Sequence, residues 1–134
     1  LTSLYKSNLF KAAICKYPVI DLNDMHLNTH RFERYYLNSL VGDYDNNKKK
    51  YFERSPNNNL DKINKPILIF HGKNDSVINF RESINFNKEL LERNVYSEII
   101  LFDEEGHGFR NIHNKIKVLE RTEKFLQYVF SLKN

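Results

Sequence analysis

The sequence predicts an α/β fold, in which a parallel β-sheet carries helices on both faces. Two short apolar runs, at residues 67–70 and 97–102, each lead into a longer segment whose apolar residues recur at helical intervals. When strands and helices alternate in this order, the strands pair in parallel and the helices form right-handed crossovers between them. The 134 residues allow one domain or part of one, whereas a complete doubly wound enzyme fold needs about 200 to 250 residues.

The N-terminal segment predicts a helix end and the first strand. Residues 1–7 have the pattern of the end of a helix. Residues 10–19 form an apolar run that Pro18 closes, as expected of a buried strand. We therefore expect the sheet to begin within the first twenty residues.

The region between the first and second strands has a weaker pattern. Three aromatic residues within residues 24–40 favour a helix that packs on one side, and Gly42 is placed to end it. These aromatic residues are Phe32, Tyr35 and Tyr36. Two Asn-rich stretches, residues 43–50 and 57–59, predict surface loops.

The C-terminal half has the clearest pattern. The continuous apolar tetrad at residues 67–70 is typical of a parallel strand buried on both faces. Helical spacing over residues 80–93, a further apolar run at residues 97–102 and a long amphipathic segment at residues 112–132 follow in order. This half therefore predicts strand, helix, strand, helix.

Composition and charge exclude several function classes. With 40% hydrophobic and 28% charged residues, the chain is neither disordered nor a membrane protein, and no apolar run approaches the roughly 20 residues of a membrane span. The net charge is +4 and the pI is near 9.1, but the basic residues are scattered apart from residues 48–50, so we expect no nucleic-acid partner. Residues 1–6 lack the features of a signal peptide, and Cys15 has no second cysteine to pair with. A cytoplasmic location is therefore expected.

An acid and a base follow the two clear strands. Asp75 lies in a turn after the strand at residues 67–70, and His107 follows the next strand between Gly106 and Gly108. Because active-site groups of parallel sheets gather beyond the carboxyl ends of strands, we expect the two side chains to meet. A carboxylate bonded to an imidazole fixes its tautomer and stabilises its protonated form, as a serine-hydrolase triad requires.

The nucleophile of such a triad has no candidate in this sequence. In hydrolases of this architecture the order is nucleophile, acid, histidine, with the serine in a G-x-S-x-G turn. The four glycines, Gly42, Gly72, Gly106 and Gly108, form no such motif. Either the serine lies before Leu1, or the chain has no hydrolytic centre.

Four stretches of the sequence carry a resemblance to a known family. They are L-F-K-A-A-I-C-K-Y-P-V-I-D at residues 9–21, S-P at residues 55–56, P-I-L-I-F-H-G-K-N-D-S-V at residues 66–77 and E-G-H-G-F at residues 105–109. Together they resemble the catalytic domain of the prolyl oligopeptidase family of serine peptidases. The resemblance covers nearly the whole chain. It implies that residues 1–134 are the C-terminal half of an α/β-hydrolase fold, as part of one catalytic domain.

The resemblance also implies a function and roles for two residues. Asp75 would be the triad acid and His107 the triad base, and the nucleophilic serine would lie a few residues before Leu1, in the absent N-terminal part of the domain. The intact protein would cleave short peptides by acyl transfer without a cofactor or a metal. This chain alone is expected to be inactive, and to self-associate through an exposed sheet edge.

Several alternatives remain open at this stage. Asp75 is also a typical turn residue, and His107 could be a loop histidine without a partner. His71, at the end of a strand, is expected to be a packed histidine that bonds to the backbone. An esterase or dienelactone-type hydrolase shares the fold and the order of the triad. A catalytically dead remnant of a split or truncated gene would also lack the nucleophile.

Two groups of residues raise the question of a metal. Asp103, Glu104 and Glu105 lie beside His107, but acidic residues in an exposed loop are usually solvated. His26 and His30 have the i, i+4 spacing of metal ligands on a helix, with no third ligand apparent. We therefore expect no metal site.

Overall fold

The computed structural model describes residues 1–29 and 31–132, which form three strands, six α-helices and one 3₁₀ helix. No helix in these two ranges is both long and apolar enough to span a membrane. In chain order the elements are α1 (Thr2–Lys6), β1 (Ala13–Lys16), α2 (Leu22–Asn28), α3 (Arg31–Val41), α4 (Tyr44–Arg54), the 3₁₀ helix (Pro56–Lys62), β2 (Ile67–Gly72), α5 (Phe80–Glu92), β3 (Ser97–Phe102) and α6 (Ile112–Ser131).

The three strands form one parallel sheet in the order β1-β2-β3. Ile67 of β2 pairs with Ala13 of β1 on one side and with Ser97 of β3 on the other. All six residues of β2 are buried, because it is the central strand and has helices on both faces. The prediction of a parallel α/β sheet is confirmed.

Alternate residues of β2 point into two separate cores. Ile67 and Ile69 pack with residues of α1, the 3₁₀ helix and α5, whereas Leu68 and Phe70 pack with residues of α6. This is the side-chain alternation of a strand, applied to two apolar faces instead of one apolar and one polar face. This burial on both faces explains why the tetrad in the sequence is continuously apolar.

The region between β1 and β2 differs from the prediction in its helices. Two helices, α2 and α3, replace the single expected helix, and Gly42 with φ of 109° ends α3 as expected. The aromatic residues expected to pack are exposed, and the buried residues of α3 are Leu37 and Val41. The exposed fractions are 82% for Phe32, 59% for Tyr35 and 58% for Tyr36.

The two Asn-rich stretches are helical, so the loops predicted there are wrong. Asp43 caps α4, with its side chain accepting a hydrogen bond from the amide of Asn46. The helix is anchored by Tyr51, which is fully buried against α2 and α3. Asn59, in the 3₁₀ helix, is buried and donates to the backbone carbonyls of Glu53 and Ser55. Tertiary contacts therefore override the weak local propensities of these segments.

Candidate active site

The structure brings Asp75 and His107 together at the carboxyl edge of the sheet. Oδ2 of Asp75 lies 2.9 Å from Nδ1 of His107. Asp75 is in the turn that follows β2, and His107 is in the loop that follows the neighbouring strand β3. The two loops meet because parallel strands end at the same edge of a sheet.

Gly72 lets these two loops approach each other closely. The backbone amide of Lys73 donates to the carbonyl of Phe102, and that of Asn74 donates to the carbonyl of Glu105. A Cβ atom at Gly72 would lie only 2.2 Å from the backbone oxygen of Glu105. Only glycine fits this position, so the meeting of acid and base depends on it.

The carboxylate of Asp75 is completely buried and accepts several hydrogen bonds. Oδ1 accepts from the backbone amides of Val77 and Ile78 at 2.8 and 2.9 Å, and Oδ2 lies within bonding distance of His107 and His71. Burial alone would raise the pKa of Asp75, but the hydrogen bonds from Ile78, His107 and Val77 outweigh it and lower the pKa. The carboxylate is therefore ionised at neutral pH.

His71 also lies within hydrogen-bonding distance of this carboxylate. Its Nε2 is 3.2 Å from Oδ2 of Asp75 and 3.2 Å from the carbonyl oxygen of Ile78, and its Nδ1 is 2.7 Å from Oγ of Ser83. The expected backbone bond is present, but the contacts to Asp75 and Ser83 were not predicted. The turn itself was expected, but the sequence does not indicate that it folds the Asp75 side chain back onto His71.

The proton positions in this network follow from its acceptors. Nε2 of His71 faces two acceptors, so it carries the hydrogen, and Nδ1 accepts from the hydroxyl of Ser83. Burial lowers the pKa of His71 in spite of the neighbouring Asp75 carboxylate, so the ring is neutral. The neutral His71 ring therefore contacts the Asp75 carboxylate as a hydrogen-bond donor and not as a charged partner.

His107 is the exposed member of the pair. Its side chain is 38% exposed, against 0% for Asp75. Within residues 1–29 and 31–132 its hydrogen bond is the one from Nδ1 to Asp75, so Nδ1 carries the proton and Nε2 is left as the basic nitrogen. The ring of Tyr17 lies against it, with the centroids 4.4 Å apart and the planes tilted by 48°. Tyr17 directly follows β1, which ends at Lys16, whereas the sequence places Tyr17 inside the predicted strand at residues 10–19.

The acidic loop after β3 is only partly solvated, which corrects the expectation for Glu105. Glu105 is 4% exposed, and its carboxylate accepts from the amides of Arg110 and Asn111 and from the side chain of Asn114, each at 2.9 Å. The hydrogen bond from the Arg110 amide is the largest of the effects that lower its pKa. Glu105 ties the loop to the start of α6, where a negative charge is favourable.

No metal ligand cluster forms among the described residues. Within residues 1–29 and 31–132, no group of three or more His, Cys, Asp or Glu side chains is arranged to hold an ion. Asp103 instead pairs with Lys73 at 2.6 Å. His26 stacks on Tyr44 with ring centroids 4.1 Å apart, and His30 lies outside the described residues.

A parallel sheet with helices on both faces, and an acid–base pair beyond two neighbouring strands, is the architecture of the α/β-hydrolases. A sequence model of the prolyl oligopeptidase family matches residues 1–133. The chain belongs to this family of peptidases.

Individual relatives agree with this assignment. The chain is 39% identical to a dipeptidyl aminopeptidase BIII of Pseudoxanthomonas mexicana over 82 residues, which are 61% of this chain and 12% of that protein. A puromycin-hydrolysing peptidase of Mycobacterium tuberculosis superimposes with a TM-score of 0.92 at 29% identity, over 98% of this chain and 20% of that one. The crystal structure of a puromycin hydrolase gives a TM-score of 0.91 at 28% identity, with the same coverage. The chain therefore spans an eighth to a fifth of the length of these relatives.

Proposed function

We propose that Asp75 and His107 are the acid and the base of a serine-peptidase triad, and that residues 1–134 are the C-terminal part of its catalytic domain. The observation that carries this proposal is the 2.9 Å contact between Oδ2 of Asp75 and Nδ1 of His107, which leaves Nε2 as the base. The nucleophilic serine lies upstream of Leu1 in this proposal, because no G-x-S-x-G occurs in the sequence.

The proposed chemistry is acyl transfer in two steps. Nε2 of His107 takes the proton of the serine hydroxyl as its oxygen attacks the carbonyl carbon of the substrate, and the buried Asp75 carboxylate stabilises the resulting imidazolium. The protonated imidazole then gives its proton to the leaving amine. In the second step His107 takes a proton from water as it attacks the acyl-enzyme, and returns that proton to the serine oxygen.

The substrate class proposed is a short peptide. Family membership supports a peptidase, and the relatives include a dipeptidyl aminopeptidase and two puromycin-hydrolysing proteins, whose names describe small substrates. We expect the 134-residue chain by itself to be inactive, because it supplies two of the three triad groups.

The test is covalent labelling of the full-length protein with a fluorophosphonate, which reacts with an activated serine. His107→Ala is expected to abolish labelling, and Asp75→Asn to slow peptide hydrolysis by roughly 10⁴-fold, because the amide stabilises the wrong tautomer of the imidazole. His113→Ala and Asp103→Asn are matched controls, since His113 is exposed on α6 and Asp103 pairs with Lys73.

Two results would count against the proposal. Labelling that persists in His107→Ala would show that His107 is not the base. Equal losses of hydrolytic activity in Asp75→Asn and Asp103→Asn would show that Asp75 is not the acid. Chromogenic dipeptide amides compared with short acyl esters separate a peptidase from an esterase.

A further inference from the structure

The backbone of Tyr17 has an unusual conformation for a tyrosine. Its φ is 39°, in the left-handed region that favours glycine. Within residues 1–29 and 31–132 the other non-glycine residue with positive φ is Asn94, and asparagine tolerates that region. Pro18 favours an extended conformation for the residue before it, so the sequence predicts the opposite of what is observed. The surrounding structure must therefore hold Tyr17 in this conformation, and such residues concentrate at functional sites.

The contacts of Tyr17 show what this conformation achieves. Its amide donates to the carbonyl of Phe70 at 2.8 Å, which fixes the backbone to β2 at the end of the sheet. Its ring contacts both His107 and Phe109, with centroid distances of 4.4 and 5.7 Å. Phe109 in turn packs against Phe102 of the core, 4.9 Å away. A continuous row of rings therefore links the core to one side of the imidazole.

His107 has few other restraints. Its single hydrogen bond, among those of the described residues, fixes Nδ1 but leaves the ring free to tilt about that contact. The glycines at positions 106 and 108 supply no side chains to hold it. The Tyr17 ring, which lies against the imidazole, is the contact that restrains its plane.

We infer that Tyr17 is a positioning residue for His107: the left-handed backbone at the end of β1 turns the Tyr17 ring against the imidazole and holds Nε2 in the orientation that proton transfer needs. This inference rests on the proposed function of His107 as the base. It assigns the aromatic face, and not the phenol hydroxyl, to the task. Because a small misplacement of a catalytic group strongly lowers the rate of the chemical step, we expect loss of the Tyr17 ring to lower kcat.

Three variants of the full-length protein separate the ring from the backbone. Tyr17→Ala and Tyr17→Gly both remove the ring, and we expect kcat for a dipeptide amide to fall about tenfold in each, with KM changed less than twofold. Tyr17→Phe keeps the ring and is expected to retain kcat within about twofold.

Stability is expected to follow a different order. Glycine adopts φ of 39° without strain and alanine does not, so Tyr17→Gly should unfold at a temperature about 1 to 4 °C above that of Tyr17→Ala. A merely structural role for Tyr17 would make activity follow stability, with Tyr17→Gly more active than Tyr17→Ala. Equal activity losses combined with unequal unfolding temperatures support the positioning role.

The inference is overturned by wild-type kcat in Tyr17→Ala or Tyr17→Gly, or by a loss in Tyr17→Phe as large as in Tyr17→Ala. If the small variants do not fold, Tyr17→Leu replaces them as a ring-free side chain of similar bulk, and wild-type kcat in it has the same consequence. His107→Ala measured in parallel separates the two proposals. If it is inactive while the Tyr17 variants are unaffected, only the positioning role fails; if it is fully active, both fail.

Discussion

The buried carboxylate of Asp75 is shared by two histidines that differ in every other respect. His71 is fully buried and His107 is 38% exposed, yet both lie within hydrogen-bonding distance of Oδ2. The buried ring contacts the carboxylate within the fold, and the exposed ring is open to solvent. A residue outside the proposed triad therefore shares its carboxylate.

His71 should make stability depend on pH below neutrality. Burial lowers the pKa of His71 in the folded protein, so below about pH 6.5 the unfolded chain binds a proton that the folded chain does not. The stabilisation is complete above pH 6.5 and declines as the pH falls. We predict that His71→Gln is less stable than wild type by roughly 1 to 3 kcal/mol at pH 7.5 but loses less on acidification to pH 5.

Thermal unfolding of both proteins between pH 5 and pH 7.5 measures this difference. His113→Gln is the control, since this exposed histidine of α6 lies outside the network. Parallel curves for wild type and His71→Gln would show that another group causes the dependence. Below about pH 4 both proteins should lose stability further, because the lowered pKa of Asp75 favours the folded state only while the carboxylate is ionised.

Single residues show where sequence reasoning succeeds and where it fails. Asp75 and His107 could be found because each follows a recognisable strand, and the edge of a parallel sheet determines which side chains meet. Glu105 was misjudged because its burial depends on three donors at the start of α6. Tyr17 was missed because its proximity to His107 results from a positive φ, whereas Pro18 favours an extended conformation for the residue before it.

At the scale of elements, the predictions were best where apolar periodicity was strongest. The run at residues 97–102 is β3, and the segment at residues 80–93 is α5 to within one residue. The failures lie in the polar insertion between β1 and β2. There, α4 has one buried residue, Tyr51, in eleven, which is too little for a periodic signal. Its helical state depends on packing against α2 and α3.

The junction of β2 with the loop after β3 gives a sharp prediction for Gly72→Ala. The added methyl would meet backbone atoms of Glu105 and Gly106 at 2.2 to 2.7 Å, and backbone atoms cannot move aside cheaply. We expect a loss of about 3 kcal/mol in the free energy of unfolding. In the full-length protein we also expect the proposed peptidase activity to be lost, because the two loops separate.

Gly106→Ala is the matched comparison for this substitution. Its Cβ atom would lie 3.4 Å from the backbone oxygen of Asn74, which is close to an ordinary contact. Thermal unfolding should therefore show a change below about 1 kcal/mol. Similar destabilisation in Gly72→Ala and Gly106→Ala would mean that the close approach at Gly72 is not what limits this junction.

For the whole molecule, the important feature is the unpaired side of β1. One edge of β1 pairs with β2, and within residues 1–29 and 31–132 no strand pairs with the other. An unpaired strand edge offers backbone groups to a second chain. We predict that the 134-residue chain, made alone under reducing conditions, forms oligomers in sedimentation velocity. The reducing agent excludes disulfides through the free Cys15.

Ile14→Lys tests whether this edge is responsible. Ile14 is 36% exposed on β1, and a lysine there should oppose strand pairing and shift the chain towards monomer. Leu91→Lys removes an exposed apolar side chain from α5 instead and should have little effect. A wild-type chain that sediments as a monomer at all concentrations would contradict the prediction.

The parallel order of the sheet also separates the two halves of the site along the chain. Ile67 pairs with Ser97, 30 positions later, whereas Ala13 pairs with Ile67 across 54 positions. Closing the longer loop costs about 0.5 kcal/mol more chain entropy than closing the shorter one. Asp75 and His107 belong to the shorter closure and Tyr17 to the longer. Asp75 and His107 are thus joined by the more local piece of chain, and the Tyr17 ring that contacts His107 comes from the more distant one.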